Sequence, residues 1–161
     1  MDYSAAHSFG AVFNENSRIL ILGTMPSVQS RAAGFYYAHP RNRFWLVLSE
    51  SFCQPAPQNV YEKKLLLLSN GVALWDVLSS CSIIGSSDSS IRDPVYNDIA
   101  SLVRNVPIEK ILCNGKKAFS LYKGFFNLRL PVICMPSTSP ANAAWSVERL
   151  ATAWKPELLM F

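Results

Sequence analysis

The chain has 161 residues, of which half are hydrophobic and 16% charged, with a formal net charge of +4. This composition excludes a disordered chain and fits one domain, residues 1–161, able to bury a core without staples. The positive excess favours an anionic partner without identifying one.

Residues 18–23 (RILILG) form a short apolar run stopped by glycine and are expected to be a buried strand. Residues 42–52 (NRFWLVLSESF) and 61–68 (YEKKLLLL) have helical length and spacing, the second ended by Asn70-Gly71. Residues 71–77 (GVALWDV) are a second strand, and the Ser/Gly-rich stretch 81–90 is expected to be a loop. Residues 94–103 place Val95, Ile99, Leu102 and Val103 on one helical face. A strand over 108–113, a helix over 116–125, a strand over 130–135 and a helix over 141–154 follow, the last with Trp145, Leu150 and Trp154 toward the core. Strands alternating with helices imply a four-stranded parallel sheet covered on both faces, an α/β/α sandwich.

Cys53, Cys81, Cys113 and Cys134 show no C-x-x-C spacing, and the histidines are His7 and His39. That pattern implies neither a metal nor a cofactor, and free, mostly buried thiols in a reducing compartment. No secretion signal is visible, and no apolar run approaches the roughly 18 residues of a membrane span. The expectation is a soluble, cytoplasmic monomer with no membrane partner.

Ligands of such sheets bind at the carboxyl ends of the strands. After the first strand stands Gly23-Thr24-Met25-Pro26-Ser27, either an ordinary turn or a close backbone approach to a ligand. The loop then interleaves aromatics and arginines up to His39-Pro40-Arg41-Asn42-Arg43-Phe44-Trp45. This suits base stacking with phosphate contact; equally, Trp45 belongs to a core and the arginines are solvated. Asp76 ends the second strand and either caps a turn or accepts a ligand N–H. Asn114-Gly115-Lys116 makes a turn and opens a helix whose N-terminus favours anions. In residues 135–142 (MPSTSPAN), Ser139 is a candidate N-cap with Pro140 at the first helical position. A capped loop of this kind can also probe a groove.

Together these segments resemble the uracil-DNA glycosylase superfamily. Gly23-Thr24-Met25-Pro26-Ser27 is similar to its first motif, and Met135-Pro136-Ser137-Thr138-Ser139 to its second, the loop that enters the minor groove. The segment from Pro40 to Trp45 resembles the one carrying the base-stacking phenylalanine in the mismatch-specific branch. Residues 36–42 (YYAHPRN), 74–77 (LWDV), 85–88 (GSSD) and 136–140 (PSTSP) are most similar to the hypoxanthine-DNA glycosylase branch. The resemblance spans about residues 18–154. It implies hydrolysis of the N-glycosidic bond of a deaminated base, most of all hypoxanthine, in DNA.

Many members carry a catalytic Asp or Asn where this chain has Met25, which neither orients water nor takes a proton. The resemblance instead assigns the catalytic role, positioning of water, to Asn42. It makes Phe44 the stacking ring, while donor and acceptor chemistry makes Asp76 and Asn114 the candidate readers of the lactam edge. Backbone N–H groups over Gly23, Thr24 and Met25 would hold the departing base. Arg41, Arg43, Lys116, Ser137, Thr138, Ser139 and Pro140 would contact DNA. With no lysine placed for a Schiff base, simple hydrolysis is expected. The rivals are a uracil or thymine mismatch glycosylase, an inactive DNA-binding relative, and a nucleotide-binding protein; the last lacks any Gly-rich phosphate fingerprint.

Overall fold

The computed structural model describes residues 3–6 and 9–159, with the side chains of Tyr3 and Ser4 excepted; His7 lies outside the described residues. In chain order the elements are β1 (Tyr3–Ala6), β2 (Ile19–Gly23), α1 (Val28–Ala33), α2 (Phe44–Ser51) and α3 (Val60–Ser69). They continue with β3 (Val72–Asp76), β4 (Leu78–Ile83), a single 3-10 turn (Asp88–Ser90), β5 (Arg92–Tyr96) and α4 (Ile99–Asn105). The chain closes with β6 (Lys110–Asn114), α5 (Lys116–Phe125), β7 (Val132–Met135) and α6 (Val147–Leu159).

Four strands form the expected parallel sheet, in the order β3-β2-β6-β7. β2 is buried along its whole length because alternate residues enter two different cores. Ile19 and Ile21 pack with Trp45, Leu48, Leu67, Leu150 and Trp154 of α2, α3 and α6. Leu20 and Leu22 face Ile99, Leu102, Ala118 and Tyr122 of α4 and α5. Helices on both faces make a three-layer α/β/α arrangement. Lys110, at the start of β6, pairs with Glu157 of α6 at 3.2 Å. A partly exposed pair of this kind adds about 0–1 kcal/mol.

Two stretches differ from expectation. The loop expected over 81–90 begins with strand: residues 81–83 belong to β4, which lies between β1 and β5 in a three-stranded antiparallel sheet. Leu78, Cys81 and Ile83 are buried, so the serines that read as loop sit between core positions and pair through backbone atoms. The helix expected over 94–103 begins only at Ile99, where the Asp98 carboxylate accepts from the Ser101 N–H. Pro94 and Val95 belong to β5, an edge strand, where a missing N–H is tolerated. Of the four thiols, Cys81 and Cys113 are buried but Cys53 and Cys134 are exposed, so fewer are buried than expected. Among the described residues no helix is long and apolar enough to cross a membrane, and no group of three potential metal ligands occurs.

The last helix also starts later than the sequence suggests. Ser139 does not cap a helix; its Oγ accepts from the Ala141 N–H within a turn, and α6 begins at Val147. The cause is Arg43. Its guanidinium donates to the carbonyls of Thr138 (3.3 Å), Ser139 (2.8 Å), Asn142 (3.1 Å) and Trp145. Carbonyls turned toward one cation over 138–145 cannot also align along a helix axis.

Candidate active site

The carboxyl ends of β2, β3, β6 and β7 meet at a cavity of about 560 Å³. Its walls come from the loop after β2, the segment 36–42, Asp76, the loop after β4, Asn114 and the loop after β7. Of the predicted site residues, Gly23, Thr24, Met25, Asn42, Asp76, Asn114, Ser137, Thr138, Ser139 and Pro140 line it. Phe44, Arg41, Arg43 and Lys116 do not.

Gly23 is where three elements converge. The position a Cβ would take at residue 23 lies 2.8 Å from Tyr37 Oη and closer still to Asp76 Oδ1. Asp76, only 3% exposed, is therefore laid against the β2 backbone, and Asn97 holds the Asp76 carbonyl from behind at 2.8 Å. Tyr37 takes a positive φ of 51°, uncommon for a non-glycine, and its hydroxyl accepts from Asn114 Nδ2 at 3.1 Å. Burial, with Asp76 adding to it, raises the Tyr37 pKa far above the usual tyrosine value, so the hydroxyl stays protonated. Beyond this strand end, the N–H groups of Thr24 and Met25 donate to no acceptor among the described residues and remain available to a ligand.

A chain of hydrogen bonds fixes Asn42. The Phe44 N–H, an obligatory donor, meets Asn42 at 3.0 Å, so the atom there must be Oδ1. Thr138 Oγ1 donates to the same oxygen at 2.9 Å. That hydroxyl in turn accepts from Asn114 Nδ2 at 3.0 Å, while Asn114 Oδ1 accepts from the Thr138 N–H at 3.0 Å. Both lone pairs of Asn42 Oδ1 are thereby engaged. Its Nδ2 has no protein partner among the described residues, and this is the atom Asn42 can offer to the cavity.

The same chain corrects two expectations. Asn114 does not present a free donor to a base, because both Nδ2 hydrogens already serve Tyr37 and Thr138, and the Thr138 N–H takes one of the two lone pairs of Oδ1. Thr138 is fully buried, so it orders the site from within rather than touching DNA. Its neighbours Ser137, Ser139 and Pro140 are half-buried at the cavity edge, where an incoming strand can reach them.

Two further corrections concern the aromatic and basic residues. Phe44 is fully buried, stacked under Tyr37 at 4.1 Å and edge-on to Trp45 and Trp154. No ligand can stack on it; the ring that reaches the cavity is Tyr37, with Phe44 as its support. Arg43, with its donors turned to loop carbonyls, holds the loop after β7 instead of a phosphate. Arg41 and Lys116 are exposed, and among the described residues no protein group binds their charged ends.

Among the cavity residues that the sequence reading did not assign to the site are Tyr36, Tyr37, His39 and Asp88. All lay inside segments already singled out, but nothing in spacing says which ring of a Phe-Tyr-Tyr run faces a cavity. His39 Nδ1 accepts the Arg41 N–H at 3.0 Å, which leaves Nε2–H pointing away from that turn.

An α/β/α sandwich with an amide and an aromatic ring lining a preformed cavity at the strand ends has the form of a site for a small planar ligand. The family model of the uracil DNA glycosylase superfamily matches residues 11–157, and the chain belongs to that superfamily. It is 38% identical over 143 residues to a hypoxanthine DNA glycosylase of Methanosarcina acetivorans, covering 88% of this chain and 90% of that one. A hypoxanthine DNA glycosylase of Methanosarcina barkeri is 35% identical over 112 residues, covering 68% of this chain and 71% of the relative. The solution NMR structure of a candidate uracil DNA glycosylase from M. acetivorans superposes with a TM-score of 0.77 at 32% identity, over 94% of this chain and 97% of that one.

Proposed function

We propose that this protein is a monofunctional DNA glycosylase that removes hypoxanthine from deoxyinosine in DNA. The observation that carries the reading is the cavity at the strand ends, where Tyr37 supplies a ring, Asp76 a carboxylate and Asn42 a pair of free N–H donors. A nucleotide turned out of the duplex stacks on Tyr37. Asp76 accepts the lactam N–H of hypoxanthine, where adenine brings a bare ring nitrogen and meets repulsion. Asn42 Nδ2 donates to the attacking water, which keeps one lone pair for C1′ of the sugar. The N–H groups of Thr24 and Met25 face the charge that develops on the departing base. Arg41 and Lys116 meet phosphates, and the edge formed by Ser137, Ser139 and Pro140 meets the strand from which the base has left. The protein acts as a monomer, without metal or cofactor.

Purified protein incubated with duplexes carrying inosine, uracil, xanthine or a thymine mismatch is expected to release free hypoxanthine fastest. Release of uracil but not hypoxanthine overturns the assignment of substrate, and binding without any released base overturns the assignment of activity. A second measurement separates the two rings. Tyr37→Ala is expected to weaken binding of an extruded base by about 1–3 kcal/mol, the worth of one stacked ring. Phe44→Ala should instead lower stability by about 3–5 kcal/mol, the cost of emptying a buried phenylalanine site. Thermal melts and binding isotherms of both variants check this; unaltered binding by Tyr37→Ala removes it from the stacking role.

A further inference from the structure

Hydrolysis of a glycosidic bond needs somewhere for the proton of the attacking water to go, and Asn42 does not provide it. Both lone pairs of its Oδ1 are engaged by Phe44 and Thr138, and Nδ2 only donates. The titratable side chains lining the cavity are Tyr36, Tyr37, His39, Asp76 and Asp88. Burial raises the pKa of both tyrosines well above the usual value, so both remain protonated donors. His39 has its Nδ1 occupied by the Arg41 N–H, so its other nitrogen carries the ring proton and donates. Asp76 lies buried against Gly23 at the strand end and already interacts with protein groups. Asp88 is different. It sits in the exposed loop after β4, lines the cavity, and its carboxylate makes no hydrogen bond or ion pair among the described residues. The loop that carries it is tied to the cavity wall. Ser86 Oγ accepts from the Val28 N–H at 3.0 Å, and Arg31 donates to the Gly85 carbonyl at 3.4 Å.

An unpaired carboxylate at the mouth of a cavity that receives part of a polyanion opposes binding. It is useful only if something in the reaction becomes positive or gives up a proton there. We propose that Asp88 is the proton acceptor of the reaction, taking the proton from the water that Asn42 positions; this rests on the base-excision reading above. The water oxygen forms the bond to C1′. The C1′–N9 bond breaks with its electron pair going to the purine. The water proton passes to the Asp88 carboxylate and then to solvent, and the departing purine takes a proton from solvent. The same carboxylate faces the positive charge that develops on the sugar. Its surroundings are mixed. Desolvation raises its pKa above that of an ordinary aspartate, Lys117 of α5 opposes that rise, and Asp76 of β3 adds to it. Tyr37 and the Cys81 thiol of β4 also lie within its field, and Arg31 of α1 reaches the same loop.

The test uses Asp88→Asn, which keeps size, removes the charge and basicity, and puts an N–H donor where one carboxylate oxygen was. Single-turnover release of hypoxanthine should fall about 100-fold or more, the usual contribution of a positioned acid or base. Binding to DNA carrying a non-hydrolysable carbocyclic inosine should be unchanged or tighter. The wild-type rate should rise tenfold per pH unit through the acid range and then level off, and the variant should lose that rise. A variant rate within tenfold of wild type overturns the proposal, as does a retained pH profile, or a lost rate accompanied by weakened binding. If the wild-type protein itself releases no hypoxanthine, the base-excision reading fails first, and the variants are not what decides it.

Discussion

Replacement of Asn42 by alanine is expected to slow single-turnover release of hypoxanthine about 100- to 1000-fold with little change in duplex binding. This is the range observed when one preorganised donor is removed from a reacting centre. The reason is geometric. Asn42 Oδ1 is clamped by the Phe44 N–H and the Thr138 hydroxyl, so the two Nδ2 hydrogens have one direction available. The informative companion is Asn42→Asp. An aspartate keeps an oxygen for both clamps but puts an acceptor where the donor was, beside the carboxylate of Asp76 in the same cavity. It is therefore expected to be as slow as alanine. A rate for Asn42→Asp within tenfold of wild type would show that position 42 acts by accepting, and would overturn the donor role. Melting curves on both variants separate chemistry from folding, because loss of the clamp leaves the buried Thr138 hydroxyl without its acceptor.

The second large effect is expected at Gly23. Alanine there places a methyl against Tyr37 Oη and Asp76 Oδ1 at once. Neither neighbour yields freely: Tyr37 is stacked on Phe44 at 4.1 Å and held by Asn114, and Asp76 ends a strand paired in register with β2. Overpacking of this kind costs about 1–3 kcal/mol. The loss of activity should be larger than the loss of stability, since displacement by about 1 Å at a reacting site costs roughly 100-fold. Gly23→Ala should thus melt a few degrees lower and release hypoxanthine about 100-fold more slowly. A variant with wild-type rate and melting temperature would mean that neither Asp76 nor Tyr37 needs its present place.

The central sheet was legible because its strands are apolar runs bounded by glycine, asparagine or proline, and each lies within two residues of its expected place. The antiparallel sheet was not legible. β4 reads LSSCSI, in which serines occupy the positions that face away from the core, and a strand of this kind carries little hydrophobic signal. In the site, the residue positions 23, 76 and 114 were recoverable from the rule that ligands meet strand ends, and position 42 from the family resemblance. The roles were not. Whether Asn114 faces a base or Thr138, and whether Phe44 or Tyr37 meets the cavity, depends on contacts between residues up to 96 positions apart. Arg43 shows the limit most plainly. In sequence it is a cation in a basic loop, and only the fold reveals the four carbonyls that claim it.

That arrangement has a thermodynamic consequence. A surface loop rich in Ser, Thr, Pro and Asn ordinarily samples many shapes in the free protein and loses that freedom when it docks. Here residues 138–145 are anchored to a guanidinium rooted at the start of α2, so their ordering is completed when the chain folds. On the base-excision reading proposed above, the stretch assigned to the vacated strand is a finished surface before DNA arrives. Encounter with a lesion then draws on shape already in place, and the free energy of binding is left to oppose the unstacking of the base.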